Sequence, residues 1–279
     1  MVDGSPSISN TEGMNSRRHL VRSKEFLGEQ DMILTLEGPF PRVLSGQFAM
    51  LSTESSWPVL LPRPLSFFDV EPGEGGWASF LIKTIGPGTR ALAEAEIGEG
   101  VLVTGPLGNG FLWDDVMEPV GIAGGVGLAP FLLLAKERQA QGLPPLTLLF
   151  GGATEASLVG QGAFPKGSVA WSFSTDDGSL GFKGNVLQLY ENLLSEGLVC
   201  SSSPVFCCGP DPMMAAVGRF CEKLETPCWV SLETVMACGY GVCNGCSVRV
   251  KGEGRFAGKA FARTCVDGPV FDAAELVWE

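Results

Sequence analysis

Cys238, Cys243 and Cys246 lie in one glycine-rich run, Met236-Ala237-Cys238-Gly239-Tyr240-Gly241-Val242-Cys243-Asn244-Gly245-Cys246, and a fourth cysteine, Cys265, stands further along the chain. The spacing C-x4-C-x2-C with a distant fourth thiolate is the plant-type pattern for a 2Fe-2S cluster. Four thiolates also suit zinc, but structural zinc sites usually draw their ligands from short C-x2-4-C knuckles, and here three come from one loop. Gly239, Gly241 and Gly245 let the backbone wrap closely and aim N–H groups at the sulfurs, hydrogen bonds that help to set a cluster's potential. The pattern favours an iron-sulfur cluster over zinc, and either over a disulfide framework. The other cysteines, Cys200, Cys207, Cys208, Cys221 and Cys228, sit in apolar sequence and read as core residues.

Such a cluster passes single electrons and does no substrate chemistry, so the rest of the chain is expected to supply a donor or an acceptor. Composition narrows the choice. His19 is the one histidine in 279 residues and lies in a polar N-terminal stretch, where it reads as a solvated residue. Ser-His-Asp and Cys-His catalysis, histidine-ligated zinc and a Rieske cluster all need a histidine within a folded site, which leaves chemistry done by cofactors. The net charge of −12 disfavours nucleic acid as a partner. An apolar fraction of 45% with 18% charged residues describes a globular chain. Its apolar runs fall short of the roughly 18 residues that span a bilayer, so no membrane association is expected. Without an opening signal segment, nine cysteines suggest a reducing cytoplasm.

The elements that would position these groups fall into four stretches. Residues 1–30 are expected to be a flexible extension or a loose first strand. Residues 31–115 show short strands punctuated by Gly and Pro, the pattern of an antiparallel barrel. They contain Arg63-Pro64-Leu65-Ser66, in which a guanidinium fork can pair with a diphosphate and a hydroxyl can bond a ring heteroatom. Gly88-Thr89 can present backbone N–H groups and a hydroxyl to a phosphate. Residues 116–226 alternate strand, turn and helix, which implies a parallel sheet. There Gly124-Gly125-Val126-Gly127 joins a strand to a helix with Pro130 in its first turn, an arrangement suited to a pyrophosphate. The spacing is not G-x-G-x-x-G, and no acid ends the next strand, so an ordinary Rossmann dehydrogenase is not expected. The loops at Asp176-Asp177 and Cys208-Gly209-Pro210 also follow strands, where open parallel sheets bind ligands. Residues 227–279 carry the cysteines. The expected fold class is therefore multidomain: an antiparallel β-barrel, a parallel α/β domain and a small C-terminal cluster segment.

Taken together, Gly46-Gln47-Phe48, Arg63-Pro64-Leu65-Ser66, Gly105-Pro106-Leu107-Gly108, Gly124-Gly125-Val126-Gly127-Leu128-Ala129-Pro130 and Cys208-Gly209-Pro210 resemble the ferredoxin-NADP reductase superfamily. Thr175-Asp176-Asp177-Gly178-Ser179 and the run from Ser231 through the cysteines narrow the resemblance to the electron-transfer subunits of class 1B dihydroorotate dehydrogenases. The resemblance covers residues 31–279. It implies FAD held by Arg63, Pro64, Leu65 and Ser66 together with Leu81, Ile82, Lys83, Gly88 and Thr89. It implies NAD(H) at Gly124, Gly125, Val126, Gly127, Asp177, Cys208, Gly209 and Pro210, and a 2Fe-2S cluster on Cys238, Cys243, Cys246 and Cys265. Gly151-Gly152-Ala153 lacks the arginine that would clamp a 2′-phosphate, which favours NADH over NADPH. The implied partner is an FMN-bearing catalytic subunit, in a heterotetramer. Two other readings stand beside it: the flavoprotein subunit of an NAD(P)H-ferredoxin or sulfur-reducing oxidoreductase, and a zinc-stabilised binding module without redox activity.

Overall fold

A computed structural model describes residues 16–113 and 118–278. Residues 31–113 do form an antiparallel sheet, and they share it with a strand the sequence hides. The strands are β1 (Arg17–Phe26), β2 (Asp31–Glu37), β3 (Phe48–Thr53), β4 (Arg63–Ser66), β5 (Asp69–Glu71), β6 (Trp77–Lys83) and β7 (Gly100–Leu107), in the order β4-β3-β7-β1-β2-β6-β5. The sheet curls so that β4 comes back beside β6. Along β2, Met32, Leu34 and Leu36 are fully buried and alternate with partly exposed residues, the period of a strand with one face on a core.

Of the two readings of residues 1–30, a flexible extension or a loose first strand, the strand holds over Arg17–Phe26, residues 1–15 lying outside the described part. β1 pairs with β2 on one side and β7 on the other. His19 is correspondingly not solvated: it is 3% exposed and stacks on Phe40 with ring centroids 4.2 Å apart. Arg18, next to it, pairs with Glu54 at 2.7 Å.

Burial lowers the His19 pKa, the backbone of Glu37 partly offsets this, and the Arg17 charge adds to the lowering. A folded-state pKa below the unfolded value means that the unfolded chain binds the proton first. Stability is therefore complete above about pH 6.5 and declines as pH falls through that value towards the folded pKa. His19 Nδ1 is buried without a hydrogen-bond partner, so His19→Phe is expected to leave neutral-pH stability unchanged or higher and to lessen the loss on acidification. Thermal unfolding of both chains at pH 7.5 and pH 5 measures it.

A second sheet follows, built from β8 (Val120–Gly124), β9 (Leu146–Gly152), β10 (Val169–Thr175), β11 (Phe182–Lys183), β12 (Val205–Cys208) and β13 (Cys228–Ser231), all parallel. The small β14 (Ser247–Arg249) and β15 (Phe261–Arg263) pair with each other, and β16 (Val270–Asp272) lies antiparallel to β13 at the edge of the second sheet. The stretch that carries the cysteines is therefore fastened into this sheet by β13 and β16. The helices are α1 (Pro87–Glu94), α2 (Ala129–Ala140), α3 (Val186–Ser195), α4 (Asp211–Lys223) and the short α5 (Thr264–Asp267). Nearly every residue from Ala129 to Ala135 is buried, which makes α2 a core helix clamped between layers.

α2 also docks the two sheets: Lys136 pairs with Asp69 at 2.7 Å and Ser45 donates to the Pro130 carbonyl at 2.6 Å. Of the cysteines read as core, Cys207, Cys208, Cys221 and Cys228 are buried, but Cys200 is exposed, because it sits in the turn between α3 and β12. No helix among the described residues is long and apolar enough to cross a membrane.

Candidate functional site

The four motif cysteines sit at the junction of the two sheets. Cys246 and Cys265 are buried with their sulfurs 3.2 Å apart, Cys238 is half-buried and Cys243 exposed. The loop wraps as its glycines suggest: Gly239 and Gly241 have φ of 82° and 88°, and Gly245 N–H points at the Cys243 sulfur at 3.4 Å.

Desolvation raises the Cys238 pKa, but the amides of Cys243, Tyr240 and Val242 and the Cys243 thiol outweigh it and bring the group down to about 6. Cys265 moves the other way, to about 12, through burial and then the neighbouring Cys246. One member is thus poised as a thiolate by backbone N–H groups, while the buried Cys265 resists ionising beside Cys246. Cations bound to this set would relieve that repulsion, because ligating thiols must be deprotonated. The donor set fits an iron-sulfur cluster. Among the described residues no three His, Cys, Asp or Glu side chains converge as a ready cage, and the thiols stand as two adjacent pairs.

Strand β3 ties this loop to the first sheet. Phe48 and Met50, with Leu107 of β7, form a small core with Met236, Cys246 and Cys265. On its other side β3 pairs with β4, Phe48 opposite Ser66 and Met50 opposite Pro64. The four residues of β4 are all half-exposed, so one face of Arg63-Pro64-Leu65-Ser66 stays open. Arg63 lies against Gly88, where a Cβ would come within 2.9 Å of its Nε and of the Trp57 ring. Thr89 Oγ1 bonds Gly86 in the first turn of α1, so a guanidinium and a helix N-terminus with its free N–H groups share one spot. This fits a diphosphate.

The expected contribution of Leu81 and Ile82 is corrected as regards side chains: both are buried in the cores on opposite faces of β6. Their backbone is what faces outward, since β5 pairs with β6 only over Trp77–Ser79. Lys83 is exposed, 4.0 Å from Asp31.

The two loops expected to seat a nucleotide meet where the second sheet reverses its order, between β8 and β12. Gly124 ends β8 and a tight turn over Gly125–Leu128 leads into α2, while Cys208 ends β12 and Gly209-Pro210 follow it. A Cβ on Gly127 would strike the Cys208 carbonyl, and one on Gly209 would stand 3.0 Å from Gly124 N. Both glycines are needed because the loops touch backbone to backbone. Cys208 is held as a neutral thiol, pushed up first by burial and then by the charge of Glu233. Asp177 is not at this junction. It follows β10 and accepts from Ser179 N–H and Oγ, which hold its carboxyl below the usual range. A cleft of about 510 Å³ between α4 and the cysteine segment, lined by Asp211, Pro212, Glu233, Arg249 and Trp278, adjoins the Cys208-Gly209-Pro210 loop.

The family model for the iron-sulfur cluster binding domain of dihydroorotate dehydrogenase B matches residues 233–277. The dihydroorotate dehydrogenase B (NAD(+)) electron transfer subunit of Geobacillus thermodenitrificans is 34% identical over 268 residues, covering 93% of this chain and 98% of its own. The chain belongs to the family of dihydroorotate dehydrogenase B electron transfer subunits. The family member from Clostridium acetobutylicum is 35% identical over 245 residues, covering 88% of this chain and 90% of its own. Among solved structures, a chain of NADH-dependent reduced ferredoxin-NADP oxidoreductase superposes with a TM-score of 0.80 at 27% identity, covering 95% of this chain and 91% of that one. The ferredoxin reductase of carbazole 1,9a-dioxygenase, at 23% identity and a TM-score of 0.65, shares the two-sheet fold over 75% of this chain and 65% of its own.

Met50 against the thiols and Trp57 beside Arg63 had escaped the motif reading, and Phe48 and Ser179 stood within quoted motifs but were given no role. Only Ser179 had a local signal, the i+2 spacing by which an aspartate bonds the backbone ahead of it.

Proposed function

We propose that this chain is the electron-transfer subunit of a dihydroorotate dehydrogenase that uses NAD+. It would take electrons from the FMN of a catalytic partner, pass them singly through a 2Fe-2S cluster on Cys238, Cys243, Cys246 and Cys265, and deliver them through FAD as hydride to NAD+. The observation that carries this reading is the shared strand: β3 pairs with the open β4 on one side and packs Phe48 and Met50 on Cys246 and Cys265 on the other. FAD supplies the exchange between one-electron and two-electron carriers, which neither a nicotinamide nor a cluster can do alone. The chain's own work is to hold the groups and to tune them. Arg63 and the first turn of α1 bind diphosphate, the touching glycine loops seat the nicotinamide nucleotide, and the amides around Cys238 bond sulfur. No side chain has to move a proton, which suits a protein whose one histidine is locked in the first sheet.

The partner's face is supported by exposed apolar side chains in the cysteine segment: Val235 at 81%, Val242 at 74% and Phe261 at 58% exposure, with Tyr240 and Val266 beside them. Such a patch around an electron port is suited to docking another subunit, here in a heterotetramer located in the cytoplasm.

A visible spectrum of the anaerobic protein, followed by stoichiometric NADH, tests the reading. Flavin bands over a broad iron-sulfur background, both bleached by NADH, are expected. A colourless zinc protein indifferent to NADH would replace it with the binding-module reading. A second reading, exchange with a ferredoxin, is favoured by the high superposition on the reduced ferredoxin-NADP oxidoreductase chain. Co-purification with a dihydroorotate-oxidising subunit decides against it.

A further inference from the structure

The fourth cysteine reaches its place through α5, and α5 is held by a residue from the other end of the fold. Asn109 lies in the loop that follows β7. Its Oδ1 accepts from Val270 N–H at 2.9 Å and its Nδ2 donates to the Val270 carbonyl at 2.9 Å, so the carboxamide pairs with Val270 as a peptide in a ladder would. Nδ2 also approaches the Asp267 carbonyl at 3.4 Å, and Asn109 N–H donates to the Gly268 carbonyl at 2.7 Å. Asp267 and Gly268 are the residues that end α5, immediately after Cys265 and Val266.

The loop is in turn fixed from below, since Gln47 Nε2 donates to the Gly108 carbonyl at 2.8 Å and its Oε1 accepts from Leu44 N–H at 2.9 Å. Gly108 and Gly46 leave no room for side chains: a Cβ on the first would stand 2.5 Å from Pro269 Cδ, and one on the second 2.9 Å from Val270 Cγ2. Asn109 therefore couples the loop after β7, whose neighbour β3 pairs with β4, to the connector carrying Cys265.

We infer that Asn109 is a positioning residue for electron transfer, one that docks the Cys265 helix on the first sheet and so fixes the separation of flavin and cluster. This rests on the reading of Cys265 as a cluster ligand. The side chain touches neither redox group, so it acts through the peptide geometry of 267–270. An aspartate there keeps the acceptor for Val270 N–H but loses the donor. Alanine loses both.

The test uses the whole chain loaded with flavin and cluster. In Asn109→Ala, iron content and the rate of flavin bleaching by NADH are expected to stay within twofold of the unaltered chain. The lag between flavin bleaching and the reduced-cluster paramagnetic signal is expected to lengthen several-fold, because electron transfer between two fixed centres slows as their separation grows. Amide exchange at Val270 is expected to quicken in the same variant, a readout that needs no turnover. Asn109→Asp is expected to lengthen the lag as well, because its carboxylate keeps the Val270 N–H bond but sets an oxygen against the Val270 carbonyl.

An unchanged lag in Asn109→Ala overturns the inference. If that variant loses its iron, Asn109→Asp decides, and an unchanged lag there overturns it equally. An unaltered chain without iron, or with a cluster that NADH cannot reduce, would instead remove the electron-transfer reading beneath it.

Discussion

Cys243→Ser is expected to abolish cluster binding while leaving the flavin and its reduction by NADH in place. The side chain is exposed, so its removal disturbs no core, unlike changes at Cys246 or Cys265, which are 3% and 2% exposed and pack with Phe48 and Met50. Its chemical role is not replaceable at neutral pH, because a serine hydroxyl neither ionises readily nor offers a soft donor to iron. Loss of the cluster should open the loop, since the Gly245 N–H aimed at that sulfur loses its partner. Strand β4, which carries the residues proposed to hold the flavin, is separated from the loop by the whole of β3 and should not feel the change.

Iron and sulfide analysis should therefore fall to background. The flavin spectrum and its bleaching by NADH should persist, and electron exchange with the partner subunit should cease. Unimpaired exchange in this variant would mean that electrons do not travel through the cysteine segment. Retained iron would mean that Cys243 is not a ligand.

What the sequence made legible was whatever depends on neighbours in sequence. The cysteine spacing and the glycine-rich turns are local constraints, and the central strands and core helix of the second sheet show as apolar runs set off by glycine and proline. β1 was hidden for a physical reason. It is a charged strand, Arg-Arg-His-Leu-Val-Arg-Ser-Lys-Glu-Phe, most of whose side chains are exposed or half-exposed, and its place in the sheet is decided by hydrogen bonds to β2 and β7 rather than by hydrophobicity.

α3 is different, because its signal was present. Asn185 and Gln188 cap each other's backbone at the helix start, and Val186, Leu189 and Tyr190 recur on one face. Asn109 had no such signal, since its partner is 161 positions away and an asparagine in a glycine-rich loop looks like any turn residue. Residues that bind a cofactor announce themselves by type, whereas residues that hold two parts of a fold together are visible only once both are placed.

Gly127→Ala is expected to weaken NADH binding selectively. The added methyl would meet the backbone of Cys208 and Gly209, which cannot rotate aside as a side chain could. Relief requires the two loops to part, and overpacking of this kind typically costs about 1–3 kcal/mol. If the parting displaces the nucleotide seat, KM for NADH rises by on the order of 10- to 100-fold.

Gly125 provides the control from the same turn. Its φ of 54° strains an alanine, but a Cβ there meets nothing within 4 Å, so Gly125→Ala should cost only the local backbone penalty of roughly 1–2 kcal/mol and leave the two loops in contact. Both variants should keep their flavin and iron, and both should be reduced fully by dithionite, because the first sheet and the cysteine segment lie outside the change. Titration with NADH then separates them. A large rise in KM for Gly127→Ala with a smaller one for Gly125→Ala places the nucleotide across the β8 and β12 loops, at the point where the strand order reverses. Equal effects would mean that the turn alone, and not its contact with the Cys208 loop, makes the site.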